Sequence, residues 1–123
     1  GMQLLFDESD EFGVHEGLHL IPGRVEAFPK DIDLLVPQMG WNQNVVNNEQ
    51  SIFADVLDGS YTYFVHSYYA KCDQQYVVSY TNYGVKVPSC VEFRNVYGMQ
   101  FHPEKSGEKG LEMLERFIER VDE

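Results

Sequence analysis

The fold is decided by one stretch in the middle of the chain, Tyr61-Thr62-Tyr63-Phe64-Val65-His66-Ser67-Tyr68-Tyr69. It is rich in aromatic and β-branched side chains, which is typical of a buried β-strand. Two further segments continue this pattern, a strand over residues 76–80 and a hairpin of residues 85–94 with 96–101 that is hinged at Asn95. The middle of the chain is therefore predicted to be a β-sheet.

Helices are predicted at both ends of the chain. The apolar run at residues 2–6 has no N-cap residue ahead of it, so it is interpreted as the inner part of a helix whose beginning is missing. The last segment is predicted to be a helix capped by Ser106, with an apolar stripe that faces a core. The stripe consists of Leu111, Leu114, Phe117, Ile118 and Val121. Helices that flank a mixed β-sheet make the predicted fold class α/β.

Composition limits the chain to a few classes of protein. Its 123 residues and 14.2 kDa allow one domain, predicted over residues 1–123. Twenty acidic and nine basic residues give a net charge of −11, so nucleic acid is not an expected partner because its phosphates would be repelled. The sequence shows neither an apolar run of membrane-spanning length nor a secretory signal pattern, so we expect a cytoplasmic protein without membrane contact. Cys72 and Cys90 are too few for a disulfide scaffold and are interpreted as free thiols.

A first candidate site is the motif His15-Glu16-Gly17-Leu18-His19, which has the H-E-x-x-H pattern of zinc hydrolases. On a helix this spacing brings two imidazoles to one face to bind zinc, with the glutamate as general base. Gly17 inside the motif and Pro22 shortly after it oppose a helix. The motif is therefore interpreted as two exposed loop histidines, and no metal or other cofactor is expected.

A second candidate site is the pair His102 and Glu104, which follows the last predicted strand. A histidine at a strand end can act as a general base when a nearby carboxylate holds its second ring nitrogen. The same residues also fit a structural histidine in a strand-to-helix turn. A catalytic role needs a nucleophile, and neither Cys72 nor Cys90 lies in the sharp strand-to-helix turn that would expose one.

Four stretches of the chain carry a resemblance to a known family. The segment Gly98-Met99-Gln100-Phe101-His102-Pro103-Glu104-Lys105-Ser106 closely resembles the His/Glu segment of class I (triad) glutamine amidotransferases. Three more stretches, which follow the family's order, narrow the resemblance to the glutaminase subunits of imidazole glycerol phosphate synthases. They are Gly1-Met2-Gln3-Leu4-Leu5-Phe6, Met39-Gly40-Trp41-Asn42 and Tyr63-Phe64-Val65-His66-Ser67-Tyr68-Tyr69. The resemblance covers essentially the whole chain and implies a class I glutamine amidotransferase-like domain of histidine biosynthesis.

The resemblance also implies roles for individual residues. It makes His102 the general base and Glu104 the acid that orients it. It makes Gln3 and the backbone of Ser67 and Tyr68 contacts to the substrate glutamine. The implied surface toward the cyclase subunit, which receives the released ammonia, consists of Met39, Trp41, Asn42 and Tyr63. For the methionine and the tryptophan, packing in the core is the alternative.

Part of the family's domain is expected to lie outside this chain. In the family the nucleophilic cysteine stands two residues before the glycine of Gly-Met-Gln, which corresponds to Gly1. We therefore expect a C-terminal portion that lacks the leading strands and is inactive on its own. A lone Gly1 before Met2 is also what a cloning remnant leaves. Because missing strands leave sheet edges and apolar faces unpaired, a homo-oligomer is expected.

Three other functions fit parts of the sequence. One is a non-catalytic module that keeps the surface over residues 39–42 for a cyclase or another partner. Another is an amidotransferase of anthranilate or aminodeoxychorismate synthesis, although Lys105 after His-Pro-Glu favours the imidazole glycerol phosphate branch. The least favoured is a zinc hydrolase built on the H-E-x-x-H motif.

Overall fold

A computed structural model describes residues 2–10 and 15–121. The strands are β1 (Glu8–Ser9), β2 (His15–Glu16), β3 (Arg24–Ala27), β4 (Gln38–Gln43), β5 (Val45–Val46), β6 (Tyr61–His66), β7 (Tyr68–Lys71), β8 (Val77–Asn82), β9 (Lys86–Phe93) and β10 (Val96–Met99). The helices are α1 (Ala54–Leu57) and α2 (Gly107–Val121), and short 3-10 helices cover Met2–Leu5, Gln74–Tyr76 and Pro103–Lys105. None of the helices within the described residues is long and apolar enough to cross a membrane.

The described strands form three sheets. The first has the order β2-β1-β3-β7, the second has the order β10-β9-β8-β5, and the third is the two-stranded ladder of β4 and β6. The pairings between these strands are antiparallel, except that β1 and β3 run parallel. The sheets and the two helices give the mixed α/β architecture that the sequence predicts.

The stretch over residues 61–69 forms two strands rather than one. β6 ends at His66 and β7 begins at Tyr68, so Ser67 lies between them. β6 pairs with β4, whereas β7 pairs with β3, and the chain therefore changes sheets at Ser67. Side-chain type predicts extended backbone here, but it carries no information about a change of pairing partner. The predicted hairpin does form, because β9 and β10 pair antiparallel on either side of Arg94 and Asn95.

Apolar side chains from both helices and from three strands form the main core. Its buried residues are Phe53, Val56, Leu57, Phe64, Val78, Cys90, Phe101 and Met113. Phe64 of β6 meets Phe101 edge to face, with 5.9 Å between ring centroids. Because Phe101 directly precedes His102 in the sequence, this contact anchors the segment that carries the candidate base.

The start of the chain contains less helix than predicted. Residues Met2–Leu5 form a single short 3-10 helix, and β1 follows within the acidic stretch Asp7-Glu8-Ser9-Asp10. Met2 and Phe6 are buried in a second apolar cluster with Val25 and Val91. The apolar character of this run is explained by burial between sheets rather than by a continued helix.

The apolar stripe of α2 does not face a core, so this prediction is wrong. Its described members are between 41% and 60% exposed, namely Leu111, Leu114, Phe117 and Ile118. The side chain of Val121 lies outside the described residues. The helix packs instead through the fully buried Met113 and through Gly110, where an added Cβ would clash with the Pro103 carbonyl oxygen. Helical spacing predicts that an apolar face exists, but it does not show what covers that face.

Candidate active site

His102 and Glu104 come together in the turn after β10. His102 directly precedes the 3-10 helix over Pro103–Lys105, and its Nδ1 lies 3.0 Å from Oε1 of Glu104. The pKa of Glu104 is lowered, chiefly by a hydrogen bond from its own backbone and further by the bond to His102. An ionised carboxylate at Nδ1 favours the tautomer with hydrogen on Nδ1, which leaves Nε2 as the basic nitrogen.

A buried hydroxyl ties this turn to β6. Ser106 donates from Oγ to the carbonyl oxygen of His102 at 2.7 Å and accepts from the backbone N–H of Tyr63 at 3.1 Å. The backbone N–H of His102 in turn donates to the carbonyl of Tyr63 at 3.0 Å. The sequence predicts Ser106 as a helix cap, but its hydroxyl serves the turn instead, so β6 positions the candidate base.

A cavity of about 380 Å³ lies next to this base. His102, Gln3, Ser67, Tyr68 and Gln100 are among the residues that line it. Nε2 of Gln3 donates to the carbonyl oxygen of Tyr68 at 2.9 Å and to Oε1 of Gln100 at 3.1 Å. The structure therefore brings the predicted base and the three predicted substrate contacts to one cavity. Glu104 is not among the lining residues and reaches the cavity through His102.

Two further polar residues, Gln100 and His66, line this cavity, and Gln38 reaches it only through its contact with His66; none of the three has a role predicted from the sequence. Gln100 and His66 stand within stretches that carry the family resemblance, whereas Gln38 lies outside those stretches. His66 is buried, with Nδ1 2.8 Å from the carbonyl oxygen of Tyr68 and Nε2 2.8 Å from the side-chain amide of Gln38. Burial lowers the pKa of His66, and the hydrogen bond to the Tyr68 carbonyl opposes that effect.

Neither thiol of the chain lies at this cavity. Cys90 is fully buried in the main core, and this burial raises the pKa of its thiol. Cys72 lines a different cavity of about 440 Å³, and burial together with the neighbouring Asp73 raises its pKa to about 11. Both cysteines are free of disulfides. A protonated thiol is a weak nucleophile, so neither cysteine is a suitable partner for His102.

The H-E-x-x-H motif does not form a helix. His15 and Glu16 belong to β2, and His19 has a positive φ of 56°. Nδ1 of His19 lies 3.1 Å from Oδ1 of Asp7, whereas the side chain of His15 lies outside the described residues. The described part of the chain contains no group of three or more His, Cys, Asp or Glu side chains that could hold a metal ion. The backbone over residues 15–19 therefore does not support a zinc hydrolase, because that site requires both imidazoles on one helix face.

The residues implied to face a cyclase lie on the ladder of β4 and β6. Met39 and Trp41 are 63% and 53% exposed, so the alternative of packing in the core is wrong for both. Tyr63 stands opposite Trp41 in the ladder, with 5.9 Å between ring centroids. Asn42 is the next residue of β4 and is half-buried. Since successive side chains of a strand point to opposite faces, Met39, Trp41 and Tyr63 share one face of the ladder and form the β4–β6 surface, whereas Asn42 lies on the other face. This surface is adjacent to the turn that carries His102, because the carbonyl oxygen of Tyr63 accepts a hydrogen bond from the His102 backbone N–H.

Comparison with known proteins identifies the family. A family model described as glutamine amidotransferase class-I matches residues 1–121. Three similar curated proteins, from Lactiplantibacillus plantarum, Listeria monocytogenes and Archaeoglobus fulgidus, are each named imidazole glycerol phosphate synthase subunit HisH. They are 56%, 48% and 50% identical to this chain, and the matches cover 98%, 97% and 98% of it. The chain spans only 58%, 57% and 61% of their respective lengths. On the strength of the family model, the chain belongs to the glutamine amidotransferase class-I family.

Proposed function

We propose that this chain supplies the acid–base pair and the glutamine-binding residues of a glutaminase that serves imidazole glycerol phosphate synthesis. One observation carries the proposal. His102, bonded to Glu104, lines the same cavity as Gln3, Ser67 and Tyr68. The shared name of the three relatives favours this pathway over anthranilate or aminodeoxychorismate synthesis.

His102 acts as the proton carrier in the proposed reaction. Its Nε2 takes the proton of a thiol while the sulfur attacks the carboxamide carbon of glutamine. The imidazolium then gives this proton to the leaving amide nitrogen, the C–N bond breaks, and ammonia and a thioester result. Nε2 next takes a proton from water, whose oxygen attacks the thioester carbon, and the thiolate recovers the proton as glutamate is released. Glu104 stabilises the imidazolium in both halves of the reaction.

The cavity offers groups that suit the two charges of an amino acid. Both hydrogens on Nε2 of Gln3 are bonded to Tyr68 and Gln100, so Oε1 is the atom of this amide that can accept a hydrogen bond from a ligand ammonium. Ser67 lies between two strand ladders, where its backbone N–H is free of ladder pairing and suits a ligand carboxylate. These groups would orient the glutamine with its carboxamide toward His102.

The attacking thiol has to come from outside these 123 residues in this proposal. Neither Cys72 nor Cys90 lines the cavity, and the resemblance places the nucleophile ahead of Gly1. The chain by itself is therefore expected to release no ammonia from glutamine, because the step that divides the reaction in two is absent.

A fusion protein tests the proposal directly. The segment of the Lactiplantibacillus plantarum relative that precedes the matched region is joined ahead of Gly1, and ammonia and glutamate are measured after addition of glutamine. We expect equal amounts of both products from the fusion protein and none from the 123-residue chain. The fusion protein carrying Cys72→Ser and Cys90→Ala should keep its activity. Ammonia release by the unfused chain, or its loss with these two substitutions, would contradict the proposed origin of the thiol.

A cyclase subunit is the proposed partner of the β4–β6 surface. Exposed Met39 and Trp41 side chains are typical of the apolar centre of an interface, since Met and Trp are enriched there. The same observation supports the second candidate function, a partner-binding module without catalysis. Calorimetry with a cyclase subunit tests the surface: Trp41→Ala should weaken binding at least tenfold, whereas Leu35→Ala, which changes an 85% exposed leucine elsewhere, should not. Binding by an inactive fusion protein would favour the module over the enzyme.

We also propose that the chain forms homo-oligomers. We further propose that the protein is located in the cytoplasm. The exposed stripe of α2 is an apolar surface of the kind that soluble monomers rarely leave uncovered. Light scattering at micromolar concentration should give a dimer or larger mass, and Leu111→Glu with Ile118→Glu should give a monomer. A monomeric mass for the unmodified chain would contradict this part of the proposal.

A further inference from the structure

His66 is buried among aromatic rings at one side of the cavity. It is the last residue of β6 and pairs in register with Gln38, the first residue of β4. Its ring centroid lies 5.4 Å from that of Phe28 and 5.8 Å from that of Phe64. These contacts restrict rotation of the imidazole, so its two nitrogens point in fixed directions.

The hydrogen bonds of His66 define one tautomer. The Tyr68 carbonyl 2.8 Å from Nδ1 can only accept, so Nδ1 carries a hydrogen. In the neutral ring that burial favours, Nε2 then has a lone pair and needs a donor. Gln38 provides this donor when its side-chain amide is flipped so that Oε1 and Nε2 exchange places. The –NH2 group then lies at the position 2.8 Å from Nε2 of His66. The same rotation pairs the amide nitrogen of Gln38, which otherwise is buried without a partner among the described residues, and moves the carbonyl oxygen to the unpartnered position.

The bond from His66 to Tyr68 spans the point where the chain changes sheets. Ser67 belongs to neither the β4–β6 ladder nor the β3–β7 ladder, so strand pairing does not fix its backbone. The imidazole of His66 fixes the backbone of Ser67 instead, because its Nδ1 donates a hydrogen bond to the carbonyl oxygen of Tyr68. That carbonyl also accepts the hydrogen bond from Gln3. One side chain therefore holds all three groups to which glutamine binding is attributed.

We propose that His66, held in a single tautomer by Gln38, is a positioning residue that sets the geometry of Ser67, Tyr68 and Gln3 for substrate binding. The proposal rests on the proposed glutaminase function. It assigns His66 no contact with the reacting atoms and no proton transfer. Its expected signature is a weaker apparent affinity for glutamine with a nearly unchanged catalytic step.

Kinetics of the fusion protein separate these two quantities. The double variant Gln38→Leu/His66→Phe removes both hydrogen-bonding side chains and leaves no buried amide without a partner. We expect it to raise KM for glutamine at least about tenfold, with kcat within about threefold of the unmodified fusion protein. His66→Asn should bring KM most of the way back, because the asparagine amide can donate to the Tyr68 carbonyl from a position near that of Nδ1.

A matched control measures the purely structural effect. Thr62 is buried on the same strand as His66, and its Oγ1 accepts a hydrogen bond from Nδ2 of Asn44 at 2.9 Å. Thr62→Val removes this buried bond at little cost in shape. It should lower the thermal midpoint of unfolding without changing KM. A rise in KM in Thr62→Val as large as that in the double variant would reduce His66 to a contributor to stability and overturn the positioning role.

A second readout needs no turnover. The side-chain amide resonances of Gln3 in the NMR spectrum of the 123-residue chain should move in the double variant and return in His66→Asn. An inactive fusion protein would contradict the proposed glutaminase function, and the Gln3 resonances would then decide alone whether His66 controls this site. Unmoved Gln3 resonances, or an unchanged KM in an active fusion protein, would overturn the positioning role.

Discussion

His66 and His102 line the same cavity but have opposite environments. His66 is buried, and both of its ring nitrogens are in hydrogen-bond contact with protein groups. The side chain of His102 is 42% exposed, and its bond to Glu104 engages Nδ1. A buried ring with both nitrogens engaged holds its neighbours in place, whereas an exposed ring oriented through Nδ1 keeps Nε2 for proton transfer. The two histidines therefore differ in environment and not in residue type, which is the basis for proposing positioning for one and proton transfer for the other.

Removal of the His102 imidazole should give the largest effect. We expect His102→Ala to lower kcat of the fusion protein by about 10²–10⁴-fold, the range attributed to general acid–base catalysis. His19 provides a matched control, because it also is an exposed histidine whose Nδ1 lies 3.1 Å from a carboxylate, that of Asp7. His19→Ala should leave kcat within about twofold of the unmodified value. An equal loss of kcat in His102→Ala and His19→Ala would contradict a catalytic role specific to His102 and would assign both losses to an effect on folding.

The sequence predicts the exposed histidine better than the buried one, for a physical reason. His102 and Glu104 are two residues apart, so their contact is local and can be inferred from spacing. Gln38 and His66 are 28 residues apart, and Gln3 and Gln100 are 97 apart. Contacts of that range depend on how distant segments pack together, which the spacing of neighbouring residues does not reveal.

The fold shows the same difference between features set by local sequence and features set by long-range packing. Side-chain composition predicts the strands and the last helix, because these depend on local propensity and period. It predicts neither the change of sheets at Ser67 nor the exposure of the α2 stripe, because both depend on what packs beside those elements. The contact between His102 and Glu104 was thus within reach of the sequence, whereas the contacts of His66 with Tyr68 and Gln38 were not.

The buried histidine should be visible in the pH dependence of stability. Burial lowers the pKa of His66 below the ordinary value of 6.5, so below about pH 6.5 the unfolded chain binds a proton that the folded chain does not. The free energy of unfolding should therefore fall as the pH drops from 7.5 to 5.5, with a slope from this group of at most about 1.4 kcal/mol per pH unit. Urea unfolding at several pH values measures it.

The double variant Gln38→Leu/His66→Phe separates this contribution from that of other groups. It should show a shallower slope than the unmodified chain between pH 7.5 and 5.5, because the group that takes up the proton on unfolding is gone. Thr62→Val, which removes no titrating group, should keep the original slope. Parallel curves for the double variant and the unmodified chain would show that His66 is not kept neutral by its burial.

The smallest expected effect, on the free energy of unfolding, comes from an ion pair that is exposed, in contrast to the buried contact of His66 and Gln38. Arg116 on α2 donates to both carboxylate oxygens of Asp55, at 2.6 and 2.9 Å, and the pair lowers the pKa of Asp55 to about 2. Since water screens it, Arg116→Met should lower the free energy of unfolding by only about 0.5–1 kcal/mol at pH 7. Lys109→Met, which removes a looser pair with Glu112 at 4.0 Å, should change nothing measurable.

The sign of the pH dependence distinguishes this pair from His66. Because the folded pKa of Asp55 lies below its ordinary value of 3.8, the stabilisation is fully present above that value and is lost as the pH falls toward 2. The difference between Arg116→Met and the unmodified chain should therefore shrink in that acidic window and also in about 1 M salt, whereas the contribution of buried His66 should resist salt. A difference that persists through both changes would assign the effect to the hydrogen bond from Nη1 of Arg116 to the Ile52 carbonyl oxygen and to packing of the arginine stem, and not to the ion pair.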